Sequence, residues 1–426
     1  MESDGREEWP GGPTTHDPWG PLRRGNPLAP LYLLVFLFDM GESALRFLLP
    51  VHVRALGHPY TTVGTLTAVF GVVTLVSRFP TGLAYRPERA RTLLVLAGAA
   101  CSVAFLLLPL ATALVPIGVL VALDGLGWGV VTTVLLSLML AARPPGTSPA
   151  AAMGWYVGIN GLGHAAAALI AGFLADRIGI SATFLVLGAV PLGATVLMAT
   201  ALTHRPPAPS VGGASEPAGA AGGTRRWRIR RALALPATVW TAAFISFYAN
   251  TMNSVLVTFF PLLALVLGMS LTEAGSLSAV RSGVSALARF GSIPVLERVP
   301  EHRLRTPAMI ATAATTAAVT LTPAVVLQAP IWAVNGAFRG LLRVSSSAGA
   351  MESVSDGDSG PTAGLLSAGL DLGKVVGPIA AGATADALGV AGMFRVLPFA
   401  LLATFLALGA GERRHRRRDP DRSATT

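Results

Sequence analysis

Apolar stretches long enough to cross a hydrocarbon core, about 20 residues each, recur along this chain, and short gaps carrying Arg, Pro or Gly separate them. They fall near 30–53, 61–84, 92–112, 115–141, 151–174, 181–202, 236–264, 273–294, 306–327, 330–350, 361–384 and 391–410. The pattern predicts an all-α membrane protein of twelve transmembrane helices. Between the sixth and seventh stretches, HRPPAPSVGGASEPAGAAGGT (204–224) has no apolar period and the composition of a linker. The expected organisation is a disordered tail at 1–27, a six-helix bundle at 28–203, a linker at 204–235, a second six-helix bundle at 236–410 and a basic tail at 411–426. Residues 1–27 are polar and proline-rich, so no cleavable signal peptide is expected there.

The polar gaps are not equivalent. Arg86, Arg89 and Arg91 follow the second stretch, Arg143 the fourth, and Arg298, Arg303 and Arg305 the eighth. Arg225, Arg226, Arg228, Arg230 and Arg231 precede the seventh, and the chain closes on GERRHRRRDPDR. Cationic loops stay on the cytoplasmic side of a membrane, so these gaps and both termini are expected in the cytoplasm of a bacterial cell, with the chain spanning its inner membrane.

Composition narrows the function. With 52% hydrophobic and 13% charged residues and a mean hydropathy of +0.60, the chain lacks the polar residues that a water-soluble globule needs for its surface. The net charge of +10 is accounted for by the loop arginines, and no nucleic-acid partner is expected. The single cysteine, Cys101, lies inside the third stretch, which excludes an intrachain disulfide. Seven scattered histidines form no metal-ligand set. The only lysine, Lys374, is inside the eleventh stretch, so the phosphate-cradling loop of an ATP-driven pump is missing. No cofactor, metal or enzymatic activity is expected.

The two halves repeat. FLLPVHVRALG at 47–57 is answered by TFFPLLALVLG at 258–268, pairing Pro50 with Pro261 and Gly57 with Gly268. The same offset of 211 aligns Thr61 with Thr272, Gly64 with Gly275, Arg78 with Arg289, Asp124 with Asn335 and Gly129 with Gly340, and brings Asn250 to the position of Asp39. An offset of 210 puts Gly163, Gly172, Asp176 and Gly179 on Gly373, Gly382, Asp386 and Gly389. Matched Pro, Arg and Asp registers indicate a duplicated six-helix unit.

Two parallel six-helix repeats joined by a basic linker resemble the major facilitator superfamily, over about residues 28–410. SRFPTGLAYRPERAR between the second and third stretches partly meets that family's Gly-x-x-x-Asp-Arg-x-Gly-Arg pattern, with Arg78, Pro80 and Gly82 kept and Arg86 in the acidic position. Its counterpart, ARFGSIPVLERVPEHR, keeps an acid–base step at Glu297-Arg298. The resemblance implies that Arg78, Gly82, Arg86, Arg289, Glu297 and Arg298 form a cytoplasmic gate. In the eleventh stretch, Gly364, Gly373, Gly377, Pro378, Ala381 and Gly382 follow the spacing of a helix-packing motif of drug–proton antiporters, where it lies in the fifth helix. Small residues so spaced let helix backbones approach closely. Within the superfamily the chain is most similar to the twelve-helix drug-efflux branch.

An ionisable group at mid-bilayer is costly, about 2.5–3.5 kcal/mol on insertion scales, and should face protein or a water-filled cavity. Asp39, Glu42 and Arg46 share one face of the first predicted helix. The fourth carries Asp124, the fifth Asn160 and His164, the seventh Asn250 and Asn253, the eighth Arg281, the tenth Arg339 and Arg343, and the eleventh Asp371 and Lys374. The resemblance implies that the first, fourth, seventh and tenth helices line a central cavity. Acids dominate the first half and cations the second, which suits proton coupling at Asp39, Glu42, Asp124 and His164. Substrate binding is then assigned to Arg46, Asn250, Asn253, Arg281, Arg339 and Arg343. Asp371 and Lys374, at i and i+3, are read as an ion pair and conformational switch. Permanent pairing of Glu42 with Arg46 and of Asp371 with Lys374 is the competing reading.

The expected function is secondary active transport, with proton-coupled export of a small amphipathic drug or metabolite set against proton-linked uptake of a small organic anion or sugar. A non-transporting receptor or scaffold is the alternative from another class. The expected partners are a small-molecule substrate, protons and the lipid bilayer, and the protein is expected to be a monomer.

Overall fold

A computed structural model describes residues 28–142, 149–201, 235–298, 301–352, 354 and 359–418. Arg143, the linker up to residue 234 and the tails at 1–27 and 419–426 lie outside the described residues. The helices of the first half are α1 (Ala29–Ala55), α2 (Tyr60–Ala84), α3 (Ala90–Leu107), α4 (Leu114–Ala141), α5 (Pro149–Ile178) and α6 (Ile180–Ala201). Those of the second are α7 (Ala237–Val266), α8 (Leu271–Arg298), α9 (Glu301–Ala318) and α10 (Val325–Glu352), followed by a helical run over Ser359–Arg418. That run breaks at Gly389, where φ is 74° and ψ 161°, giving α11 (359–388) and α12 (390–418). The described residues therefore hold twelve helices besides two 3-10 turns, and eight stretches are long and apolar enough to cross a membrane.

Glycines end the same helices in both halves. Gly57 and Gly268 adopt φ of 86° and 76°, and Gly179 and Gly389 adopt 81° and 74°. In this left-handed region a Cβ is strained, which is why the repeat keeps glycine there. At the first pair, the next amides turn back onto the helix, His58 N–H to the Val53 carbonyl at 3.3 Å and Met269 N–H to the Ala264 carbonyl at 2.9 Å.

The ninth helix departs from the sequence expectation of 306–327: it begins at Glu301 and stops at Ala318. The apolar run continues without a break through LTPAVV, so hydropathy does not mark the end. Pro323 has no N–H to continue a helix. The freed carbonyls of Val319 and Thr322 accept bonds from Gln328 Nε2 at 3.2 and 2.5 Å, and α10 then runs straight through Pro330. The third helix likewise ends at Leu107, where Leu108–Leu110 tightens into a 3-10 turn around Pro109.

Packing follows the repeat. α1 lies against α5 and α6, α2 against α4, and α3 against α4 and α6; α7 meets α11, and α8 meets α10. Across the halves, α2 packs on α11, α5 on α8, and α1 on α7. One apolar core runs through both halves, and a smaller one joins Ile245, Tyr248, Met309, Leu342 and Leu402.

Candidate functional site

Two seams join the halves, α2 with α11 and α5 with α8, and each is clasped at the end away from the arginine-rich loops. Asp386 at the close of α11 accepts the backbone N–H of Tyr60 and of Thr61, each at 2.8 Å, and the Thr61 hydroxyl. Asp176 at the close of α5 accepts the N–H of Leu271 at 3.1 Å, the N–H of Thr272 at 2.7 Å and the Thr272 hydroxyl at 2.6 Å. Each carboxylate caps the first turn of a helix in the opposite half, where free N–H groups and the helix dipole favour an anion. Sequence reasoning missed these residues as functional, although the repeat had matched both the aspartates and the threonines.

Glycines line the seams at helical spacing. A Cβ on Gly64 would strike the Pro378 carbonyl, and one on Gly275 the Ala168 carbonyl, so backbone meets backbone there. A Cβ on Gly382 would come within 2.6 Å of the Tyr60 carbonyl oxygen. At the other end of the same faces, a Cβ on Gly82, Gly154 or Gly364 would meet nothing within 4 Å among the described residues. Among the described residues the glycine packing of the seams therefore loosens toward the arginine-rich loops. Among the described residues neither Gly364, expected in the packing motif, nor Gly82, expected in the gate, lies against another helix. Gly373 and Gly377 do pack tightly, against Phe247, Asn250 and Thr251 of α7. Arg86 is exposed in the α2–α3 connection, and the side chains of Glu297 and Arg298 lie outside the described residues.

The charged residues of the first half converge inside its bundle. Asp39, only 2% exposed, accepts a hydrogen bond from Asn160 Nδ2. Glu42 Oε1 accepts from Arg46 Nη1 at 3.3 Å, and its Oε2 lies 3.8 Å from His164 Nε2. His164 Nδ1 stands 2.7 Å from the Asn160 carbonyl. A ring nitrogen facing a carbonyl carries the proton, so Nε2 holds a second proton only in the charged imidazolium. The Glu42–His164 contact is thus an ion pair in that state alone, and one proton decides between the two arrangements. Asp124 is 3% exposed, and its Oδ2 has no hydrogen-bond partner among the described residues.

In the second half, Arg281 on α8 is 3% exposed. Its Nε donates to Asn335 Oδ1 of α10 at 2.8 Å and its Nη1 to Asn253 Oδ1 of α7 at 3.1 Å. Asn335 is itself fixed by donating to the hydroxyls of Thr315 and Thr316 at 2.9 and 3.2 Å. Arg339, one turn beyond Asn335, donates to Ser285 Oγ at 3.3 Å, one turn beyond Arg281. Asn250 takes a structural position, donating to the Leu370 carbonyl of α11 in the place where Asp39 meets Asn160 in the first half. Arg343 is exposed and within electrostatic reach of Asp371 and Tyr156.

The repeat now shows a pattern that single positions hide. Asp39, Glu42 and Asp124 fall, at the common offset of 211, on Asn250, Asn253 and Asn335. Each buried acid of the first half is an amide in the second.

Asp371 receives two cations. Lys374 Nζ lies 3.1 Å and Arg78 Nη1 3.4 Å from its Oδ1. The expected i, i+3 pair is present, and Arg78, read from sequence as a gate residue, carries it across to the other half. Its counterpart Arg289 is likewise not without a partner, although the position matching Asp371 is Gly161.

The comparisons with known proteins agree with this architecture. A search of curated proteins finds no match. Among solved structures, the chain resembles a bacterial homolog of the human lysosomal transporter Spinster in an inward-facing, unoccupied conformation, with a TM-score of 0.73, 17% identity, and coverage of 89% of this chain and 93% of that one. It also resembles the nucleoside transporter NupG, with a TM-score of 0.70, 14% identity, and coverage of 89% and 98%. The Major Facilitator Superfamily model matches residues 31–334, well over half of the sequence. With that match, the paired bundles and the shared fold, the chain belongs to the Major Facilitator Superfamily, a multi-pass membrane protein of the secondary-transport class.

Proposed function

We propose that the protein is a proton-coupled exporter of a small amphipathic compound that works by alternating access in the bacterial inner membrane as a monomer. The observation that carries this reading is Glu42, held between Arg46 and His164 and accompanied on the same bundle by the buried acids Asp39 and Asp124. These groups exchange protons where the membrane makes a lone charge expensive, while a substrate meets the cationic face of the second half. The two occupancies bias one equilibrium between an end-open and an end-closed arrangement of the halves, which is what coupling requires. The positive-inside rule assigns the looser end of the seams to the cytoplasm, which supports reading this arrangement as an inward-open step of the cycle. Proton-linked uptake of an organic anion is the second reading, favoured by Arg281 and Arg339, for which no ion pair is found among the described residues.

Inside-out vesicles carrying an imposed pH gradient test the proposal against a panel of anionic, neutral and cationic amphipathic dyes. Gradient-driven accumulation of at least one dye is expected, with Asp39→Asn abolishing uphill movement while keeping part of the downhill exchange. Accumulation without regard to the gradient refutes proton coupling. A complete lack of flux points to a receptor or scaffold, and full uphill transport by D39N removes Asp39 from the coupling set.

A further inference from the structure

We infer that Arg281, together with Arg339, is the seat for a negatively charged group of the transported molecule: a carboxylate, sulfonate or phosphate. The inference rests on the transport reading above and names the substrate class that the reading leaves open.

A guanidinium withdrawn from water at 3% exposure is ordinarily paired with a carboxylate, because an uncompensated buried charge is strongly unfavourable. Among the described residues Arg281 has no ion-pair partner and is held instead by two amide oxygens, Asn335 Oδ1 and Asn253 Oδ1. These are the positions at which the first half keeps Asp124 and Glu42. The fold can therefore accommodate an acid at both places and in this half has neither. The amides orient the guanidinium without cancelling its charge. Asn335 cannot turn to present its Nδ2, since that group is committed to Thr315 and Thr316.

Arg339 extends the seat. Arg281 and Ser285 are one turn apart on α8, as are Asn335 and Arg339 on α10, so the bonds Arg281–Asn335 and Arg339–Ser285 form successive rungs of one seam. The two guanidiniums occupy neighbouring levels of the α8–α10 seam, and Arg339 is within electrostatic reach of both Arg46 and His164 of the first half. An anion on this seam thus lies between the cations of one bundle and the proton-exchanging acids of the other. Guanidinium groups bind carboxylate and phosphate oxygens through paired N–H donors, which sets the chemistry of the group accepted.

Calorimetric titration of the purified protein in lipid nanodiscs tests the seat without a proton gradient. The probes are 2-naphthoate, 2-naphthalenesulfonate, 2-naphthyl phosphate and the neutral 2-naphthamide. At least one anion is expected to bind saturably and more tightly than the amide, and the preferred one identifies the group. Arg339→Gln is expected to weaken that binding by about tenfold, the loss of one charge-assisted hydrogen bond. Because Arg281 ties three helices together, its own removal also threatens folding, so Asn253→Asp is the deciding variant. It places a carboxylate beside Arg281 in the manner of Glu42, and is expected to preserve or raise the melting temperature while weakening anion binding by at least about tenfold. Two results overturn the inference: wild-type protein binding no anion more tightly than the amide, or N253D binding anions as wild type does. Anion binding without gradient-driven flux refutes the transport proposal and leaves the seat standing, and flux without anion preference does the reverse.

Discussion

Asp124 and Asn335 occupy matched places in the two bundles, yet only the amide is fully engaged: Asn335 bonds Arg281 and two threonines, whereas Asp124 Oδ2 has no partner among the described residues. Asp124→Asn should therefore fold at wild-type abundance, with stability unchanged or raised by roughly 1 kcal/mol, because an unpaired buried acceptor contributes nothing that an amide cannot replace. Gradient-driven transport should fall in the same variant. A melting temperature that drops with the charge indicates that Asp124 is structural, and transport that survives removes it from proton coupling. At this scale the sequence was informative, since charges are rare enough in apolar spans for Asp39, Glu42, Arg281 and Lys374 to stand out unaided. Their partners were less legible. Asn250 could have faced a cavity or a neighbouring carbonyl, and only packing against α11 decides for Leu370.

Among the elements, the ends of α5 and α11 do more than terminate helices. Asp176 and Asp386 each cap a helix of the opposite half, and a cap of this kind contributes about 1–2 kcal/mol. Replacing either with Ala should shift the ratio of clasped to unclasped molecules by roughly tenfold, opening the end that this structure closes. Spin labels at Ala55 and Leu388, both exposed near the Asp386 clasp, measure it, and the buried Cys101 leaves introduced cysteines free for selective labelling. A longer-distance population in D386A is expected; an unchanged distance distribution shows that glycine packing alone holds the seam. Helix number was legible because lipid demands long apolar runs. The end of α9 was not, because Thr320, Thr322 and Pro323 break the helix inside an apolar run, and the carbonyls set free there are covered by a distant-looking Gln328. The aspartate clasps were present in the repeat as matched letters, but their partners are backbone amides, which carry no signature in a sequence.

At the scale of the whole molecule, Asp371 is met by cations of both halves, Lys374 from its own helix and Arg78 from the other bundle. A double-mutant cycle separates structure from mechanism. Asp371→Asn leaves two cations uncompensated and should lower abundance most, whereas D371N combined with Lys374→Gln should recover much of it. Recovery of abundance without transport assigns the pair to the conformational cycle, and recovery of both assigns it to stability. If either single variant behaves as wild type in both measurements, the cluster has neither role. Arg78→Gln should leave abundance closer to wild type, since Lys374 still neutralises Asp371, and should alter chiefly the balance between open and closed forms.

The clasps have one more consequence. Asp176 of the first half holds α8 of the second, and Asp386 of the second half holds α2 of the first, so each partner gives what it receives, as in a two-fold homodimer. A self-complementary joint has no preferred sense: exchanging the two bundles leaves it as it was. Whatever makes this protein work in one direction must then reside in the residues that break the exchange, above all the three acids that became amides and the arginine that took their place as the source of charge.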